Sequence, residues 1–226
     1  MTRSKARLWL VRHAAPLVPP GTCYGALDVP ADTAATQIAA MRLAAALPSF
    51  AAVFHSPLQR CEQLAMTIQG LRPDLASKPD PRLREMDFGA WEGQPWNAIA
   101  KSAIDAWTAA FATHAPGGGE SLALMLERVA SALQTALQRP AQPTQPTAQH
   151  ACNSSAATAA AGVNKLIDDT DVTRVTEVTD VVWITHAGVV RCVHWLLAHD
   201  TGVLPRSQEW PVAAPGWGGW EVRDLH

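Results

Sequence analysis

Arg7-Leu8-Trp9-Leu10-Val11-Arg12-His13-Ala14-Ala15-Pro16 begins as an apolar run of strand length and ends in two reactive side chains on a stretch that Pro16 stiffens. A short apolar run bounded by polar residues and proline reads as a buried strand of an α/β sheet, and ligands gather at the carboxyl ends of such strands. Arg12 and His13 therefore stand where a site is expected. A basic pair that merely caps a strand looks the same, so the pair acquires meaning only from the other segments that end beside it.

Two further segments repeat the pattern. Phe50–Phe54 is apolar and runs into His55-Ser56-Pro57-Leu58-Gln59-Arg60. Ser56 reads as an N-cap, Pro57 as the first helical residue and Gln59 as the partner in a capping box, which puts Arg60 in the first turns of a helix whose positive end favours an anion. A solvated surface arginine is the plainer alternative. Val181–Thr185 is a third strand, ending in His186-Ala187-Gly188, with a helix from Val189 to Ala198. The amides of Ala187 and Gly188 then lie at a helix N-terminus, a second anion-favouring end.

Between these strands, Gly21-Thr22-Cys23-Tyr24-Gly25 and Asp28-Val29-Pro30 read as a loop over the end of the first strand. Thr33 to Leu47 reads as a helix that packs on the sheet through Ile38, Met41 and Leu43. Arg82 to Gly93 is a loop dense in acids and aromatics. Glu85 or Asp87 could pair with Arg82 or Arg84 on the surface, or one of them could donate a proton. Trp96 to Ala112 is expected to be helical and mostly packed inward. Gly117-Gly118-Gly119 opens another helix, running from Leu122 to about Gln138, and serves either as a backbone cradle for phosphate or as a connector. Gly216–Val222 reads as a turn and closing strand. From Arg139 to Asp180 the composition shifts to Pro, Gln, Thr, Ala and Ser, which reads as a disordered insertion within a single domain spanning 1–226.

The 226 residues and 48% hydrophobic content suit a sizeable core. A formal charge of -2 without any Lys/Arg run argues against a nucleic-acid or membrane-surface partner and for a small molecule. Cys23, Cys61, Cys152 and Cys192 lack CxxC spacing and read as free thiols. No acid and histidine cluster has divalent-metal spacing, so no metal and no cofactor is expected. The basic start is followed by an apolar run too short for a signal peptide, which makes a cytoplasmic location the default. Nothing in the sequence sets the oligomeric state.

Leu10-Val11-Arg12-His13, Ser56-Pro57-Leu58-Gln59-Arg60, Leu83 to Gly89, Gly118-Gly119-Glu120-Ser121 and Thr185-His186-Ala187-Gly188 together resemble, in order, the motifs of the histidine phosphatase superfamily, also called phosphoglycerate mutase-like. Cys23-Tyr24-Gly25, Asp28-Val29-Pro30 and Glu85 to Ile99 look most like α-ribazole phosphatases of cobalamin synthesis. The resemblance implies a three-layer α/β/α sandwich with a mostly parallel central sheet. It implies His13 as nucleophile, Glu85 as proton donor, Arg12, Arg60, His186 and Ala187 around the phosphate, and metal-free transfer through a phosphohistidine. Tyr24 and Trp96 are the expected substrate contacts, because aromatic faces reward stacking on an aromatic base.

Ala14 replaces the glycine common after the family's histidine, Pro19 stands where many members have asparagine, and His55 replaces a usual serine. The implied activity is a phosphomonoesterase, with α-ribazole 5'-phosphate as the leading substrate. The alternatives are a phosphoglycerate mutase-type phosphotransferase, a broad sugar-phosphate phosphatase and a non-catalytic phosphate-binding module. A mutase surrounds its site with extra cations, whereas this chain has four lysines, none in these loops. A dead module should have lost His13, Glu85 or His186, and all are present.

Overall fold

A computed structural model describes residues 5–138 and 178–225. Five strands, β1 (Lys5–Arg12), β2 (Ala52–His55), β3 (Ser77–Pro79), β4 (Val178–Thr185) and β5 (Trp220–Leu225), form one sheet in the order β3-β2-β4-β1-β5. β1 with β4, β4 with β2 and β2 with β3 run parallel; β5 lies antiparallel on β1. The apolar runs are continuous because both faces of the sheet are covered. Leu8 and Leu10 point into one core with Val181, Trp183 and the helices α4 (Leu122–Leu137) and α5 (Ala187–Ala198). Val11 points the other way, with Val53, Val182 and Ile184, under α1 (Thr33–Ala46) and α2 (Gln59–Leu71). This is the expected α/β architecture, with helices on both faces of a mostly parallel sheet.

Several elements differ in detail from expectation. In α1 the buried face is Thr36, Ala39, Ala40 and Leu43, while Ile38 and Met41 are 56% and 50% exposed. The alanines allow close approach: an added Cβ on Gly218 would meet that of Ala39 at 2.7 Å. β3 is a three-residue edge strand whose terminal Pro79 offers no donor, so neither length nor pattern announces it. The helix expected from Trp96 is a 3-10 turn over Trp96–Ala98 followed by α3 at Lys101–Ala109.

The expected insertion extends to Asp180, but Val178–Asp180 belongs to β4. Asp180 accepts two bonds from the Arg7 guanidinium, at 2.9 and 2.8 Å, and one from Trp9 Nε1 at 2.9 Å, clamping β4 to β1. The rest of the expected insertion, residues 139–177 with Cys152, lies outside the described residues. Cys23, Cys61 and Cys192 are free and buried. No helix among the described residues is long and apolar enough to cross a membrane.

Candidate active site

The carboxyl ends of β1, β2 and β4 are laced together. His13 N donates to Thr185 O at 3.1 Å, Ser56 N to Ile184 O at 2.9 Å, and Thr185 Oγ1 to Leu83 O at 2.8 Å, which brings in the acidic loop. The C-terminal loop closes over β1 as Gly218 N donates to His13 O at 2.9 Å and Arg12 Nη1 to Pro215 O at 3.1 Å. Beyond these strand ends lies a cavity of about 340 Å³. Arg12, His13, Arg60, Glu85, Ala187 and Gly188 line it, as do Tyr24 and Trp96. His186 is fully buried and is not among its lining residues; its ring centroid is 5.1 Å from that of His13.

Hydrogen bonding fixes the tautomer of His13. Nδ1 lies 2.7 Å from the carbonyl oxygen of Ala14, which can only accept, so the neutral ring carries its proton on Nδ1 and its lone pair on Nε2. Burial drives the His13 pKa down from 6.5 to about 3, with Arg60 and Arg12 pushing the same way and the Ala14 carbonyl opposing. His186 is held well below its ordinary value by burial and then by the charge of Arg60. Its Nε2 lies 2.8 Å from Ser56 Oγ and 3.4 Å from the Cys61 thiol. Burial lowers the Arg12 guanidinium, opposed by nearby Tyr24 and Glu85. Its face packs on Trp217 at 5.6 Å.

The capping at Arg60 differs from expectation. α2 begins at Gln59, Ser56 Oγ accepts weakly from Leu58 N at 3.3 Å, and Gln59 closes no capping box. Asp28 caps the helix from a distant loop, accepting from Gln59 N at 2.7 Å. Arg60 is fully buried and donates to Leu27 O at 2.9 Å and Gly25 O at 2.6 Å, with Tyr24 over its guanidinium at 5.4 Å. The positive end of α5 is likewise occupied from within, since Gly188 N donates to Glu85 Oε2 at 3.0 Å. The first amides of both helices are thus met by side-chain carboxyl oxygens of the protein, Asp28 at α2 and Glu85 at α5. A phosphate in this cavity would therefore depend on the arginine side chains.

The three acids of the loop are sorted by their partners. Glu85 alone lines the cavity with His13, its Oε1 accepting from Met86 N at 3.0 Å. Asp87 turns away to accept from the amide of Gly89 at 2.8 Å. Glu92 accepts from the amides of Gly25, Ala26, Leu27 and Phe88 at 2.8 to 3.1 Å, which pins the Tyr24 loop to the acidic loop. Arg82 pairs with Asp80 instead of Glu85 or Asp87. The glycine run is neither phosphate cradle nor loose connector. An added Cβ on Gly117 would lie 2.1 Å from Phe88 O, and one on Gly119 2.3 Å from Asp87 O, so these glycines let two backbones touch.

Much of the remaining wall is aromatic. Phe88, Trp107, Phe111 and Trp210 join Trp96, with Trp107 stacked on Trp96 at 6.4 Å. Helical spacing alone assigns Trp107 and Phe111 to core packing, and Trp210 stands in a loop with no periodic signal. Arg191 also lines the cavity. It lies one helical turn after Gly188, a spacing that could have revealed it.

Comparison with known proteins places the chain in a family. No curated protein matches the chain. The protein TTHB049 from Thermus thermophilus is 29% identical in structure-based comparison, covering 88% of this chain and 89% of its own, with a TM-score of 0.55. A phosphoglycerate mutase from the same organism is 30% identical over 88% of each chain, with a TM-score of 0.55. Mycobacterial hydrolase 2 shares the fold, with a TM-score of 0.68, 21% identity, and coverage of 97% of this chain and 82% of that one. The model of the histidine phosphatase superfamily (branch 1) matches residues 8–148. The chain belongs to the histidine phosphatase superfamily and is an enzyme of that phosphatase and phosphotransferase class.

Proposed function

We propose that the protein is a metal-independent phosphomonoesterase acting through a phosphohistidine, with α-ribazole 5'-phosphate as substrate. The observation that carries the reading is the hydrogen bond from His13 Nδ1 to Ala14 O, in a cavity that also holds Arg12, Arg60 and Glu85. It leaves the Nε2 lone pair of a neutral imidazole for attack, and the lowered pKa keeps that lone pair unprotonated at working pH.

In the first step a bond forms from His13 Nε2 to phosphorus as the ester P–O bond breaks, while protonated Glu85 delivers its proton to the departing alkoxide. Arg12 and Arg60 offset charge on the equatorial oxygens of the in-line transfer. The Nδ1–H bond to Ala14 O stabilises the positive character of the phosphorylated ring. In the second step water attacks phosphorus, its proton passes to Glu85, the N–P bond breaks and phosphate leaves. His186, behind His13, adds a neutral imidazole to the buried surroundings of that ring.

The aromatic wall supports a substrate with a flat apolar body, and dimethylbenzimidazole fits that description. The test is phosphate release from α-ribazole 5'-phosphate beside 3-phosphoglycerate and simple sugar phosphates. Preference for α-ribazole phosphate is expected. Isomerisation of 3-phosphoglycerate outrunning hydrolysis of every ester would support the mutase reading.

A further inference from the structure

The geometry points to Arg128, braced by Glu120, as the positioning residue for Glu85; the inference rests on the reading of Glu85 as proton donor. A guanidinium has five N–H donors. Arg128 has an acceptor for each: Nε donates to Glu120 Oε1 at 2.7 Å, Nη1 to Arg82 O and Arg84 O at 2.7 Å each, and Nη2 to Glu120 Oε2 at 2.8 Å and Glu85 O at 3.3 Å. Three of the five acceptors are carbonyls of the strip that ends in Glu85. Arg82 lies in the 3-10 turn Pro81–Leu83, and Arg84 and Glu85 follow it in no helix or strand, so these carbonyls take their partner from elsewhere.

Glu120 completes the brace. Its carboxylate fills both prongs of the fork, and its own amide donates to Asp87 O at 2.8 Å, so the loop is held on each side of Glu85. The pair is mostly buried, with side-chain exposures of 20% and 18%. Arg128 is not among the residues lining the His13 cavity; it holds the strip that carries Glu85, and its charge also bears on the buried His186 ring, a charge that a lysine would keep. The motif Gly118-Gly119-Glu120-Ser121 thereby gains a purpose. Gly119 lets the backbone approach Asp87, Glu120 holds Arg128, and Ser121 caps α4 by accepting from Leu124 N at 3.4 Å.

The test compares Arg128→Lys and Glu120→Gln with wild type on an alkyl phosphate and on 4-nitrophenyl phosphate, with melting curves for each variant. Lysine keeps the charge but not the fork. A displaced acid matters only where the leaving group needs a proton, so alkyl turnover should fall by about 10- to 100-fold while aryl phosphorylation stays within about threefold. Lower stability alone would reduce both substrates together, so equal losses on the two esters would overturn the inference. Should Arg128→Lys not fold, Glu120→Gln carries the same comparison. Glu85→Gln is the reference. If it separates the two esters and the brace variants do not, this inference fails alone; if it does not separate them, the proton-donor reading fails and this inference with it.

Discussion

The amide of Gly188 donates to Glu85 Oε2 at 3.0 Å, and a Cβ on Gly188 would lie 2.0 Å from Glu85 Oε1. The first turn of α5 is thus shaped to receive that carboxylate. In Gly188→Ala the carboxyl, as the flexible end of a side chain, yields before the backbone does. The melting temperature should change little, whereas turnover of an alkyl phosphate should fall by about tenfold or more through the lost position of the acid. Unchanged alkyl turnover would show that the contact has no part in the reaction.

His13 and His186 are buried and neutral, which makes stability depend on acid. The folded pKa of His13 is about 3 against an ordinary 6.5, so between those values the unfolded chain binds more protons. Stability is fully present above about 6.5 and is lost as pH falls through that window. Each such proton contributes up to about 1.4 kcal/mol per pH unit. Urea denaturation from pH 7.5 to 4.5 should show the decline, with a shallower slope in His13→Asn. An equal slope in the variant would remove His13 from the account.

Trp96 is 37% exposed at the cavity wall, where a ring can stack on a bound base. Trp96→Ala should raise KM for α-ribazole phosphate by about 2- to 12-fold, the equivalent of one aromatic pair, and leave a simple sugar phosphate unaffected. Tyr24→Ala is a less specific probe, because Tyr24 also packs on Arg60. Equal effects of Trp96→Ala on both esters would dismiss stacking.

Arg12 and Arg60 put two guanidinium groups on the cavity wall, and planar forks of this kind grip phosphate oxygens without a bridging cation. Turnover should therefore survive exhaustive chelation. Loss of activity in chelator, restored by magnesium, would contradict this.

The strands that carry the site are legible because buried runs such as Leu8–Val11 and Val181–Thr185 leave no other reading, and because Arg12, His13 and His186 follow them at once. What escapes a sequence reading depends on contacts distant along the chain. Asp28 caps α2 from a loop that precedes Gln59 by 31 positions, so Ser56 takes on the look of the cap. The inward face of α1 carries Ala39 and Ala40 instead of Ile38 and Met41, and Ala39 packs closely on Gly218, a contact between distant parts of the chain. Asp180 blends into a polar insertion because its partners, Arg7 and Trp9, lie on the first strand. Glu85, Asp87 and Glu92 are similar in sequence, and only their hydrogen-bond partners tell them apart.

The central claim is the covalent step at His13, and the most direct measurement is to mix enzyme with substrate labelled on phosphorus, quench in denaturant, and map the label. An acid-labile, base-stable phosphate is expected on the peptide that contains His13 and is absent from His13→Ala, whose turnover is abolished. A label on another residue, or near wild-type turnover in His13→Ala, would contradict it.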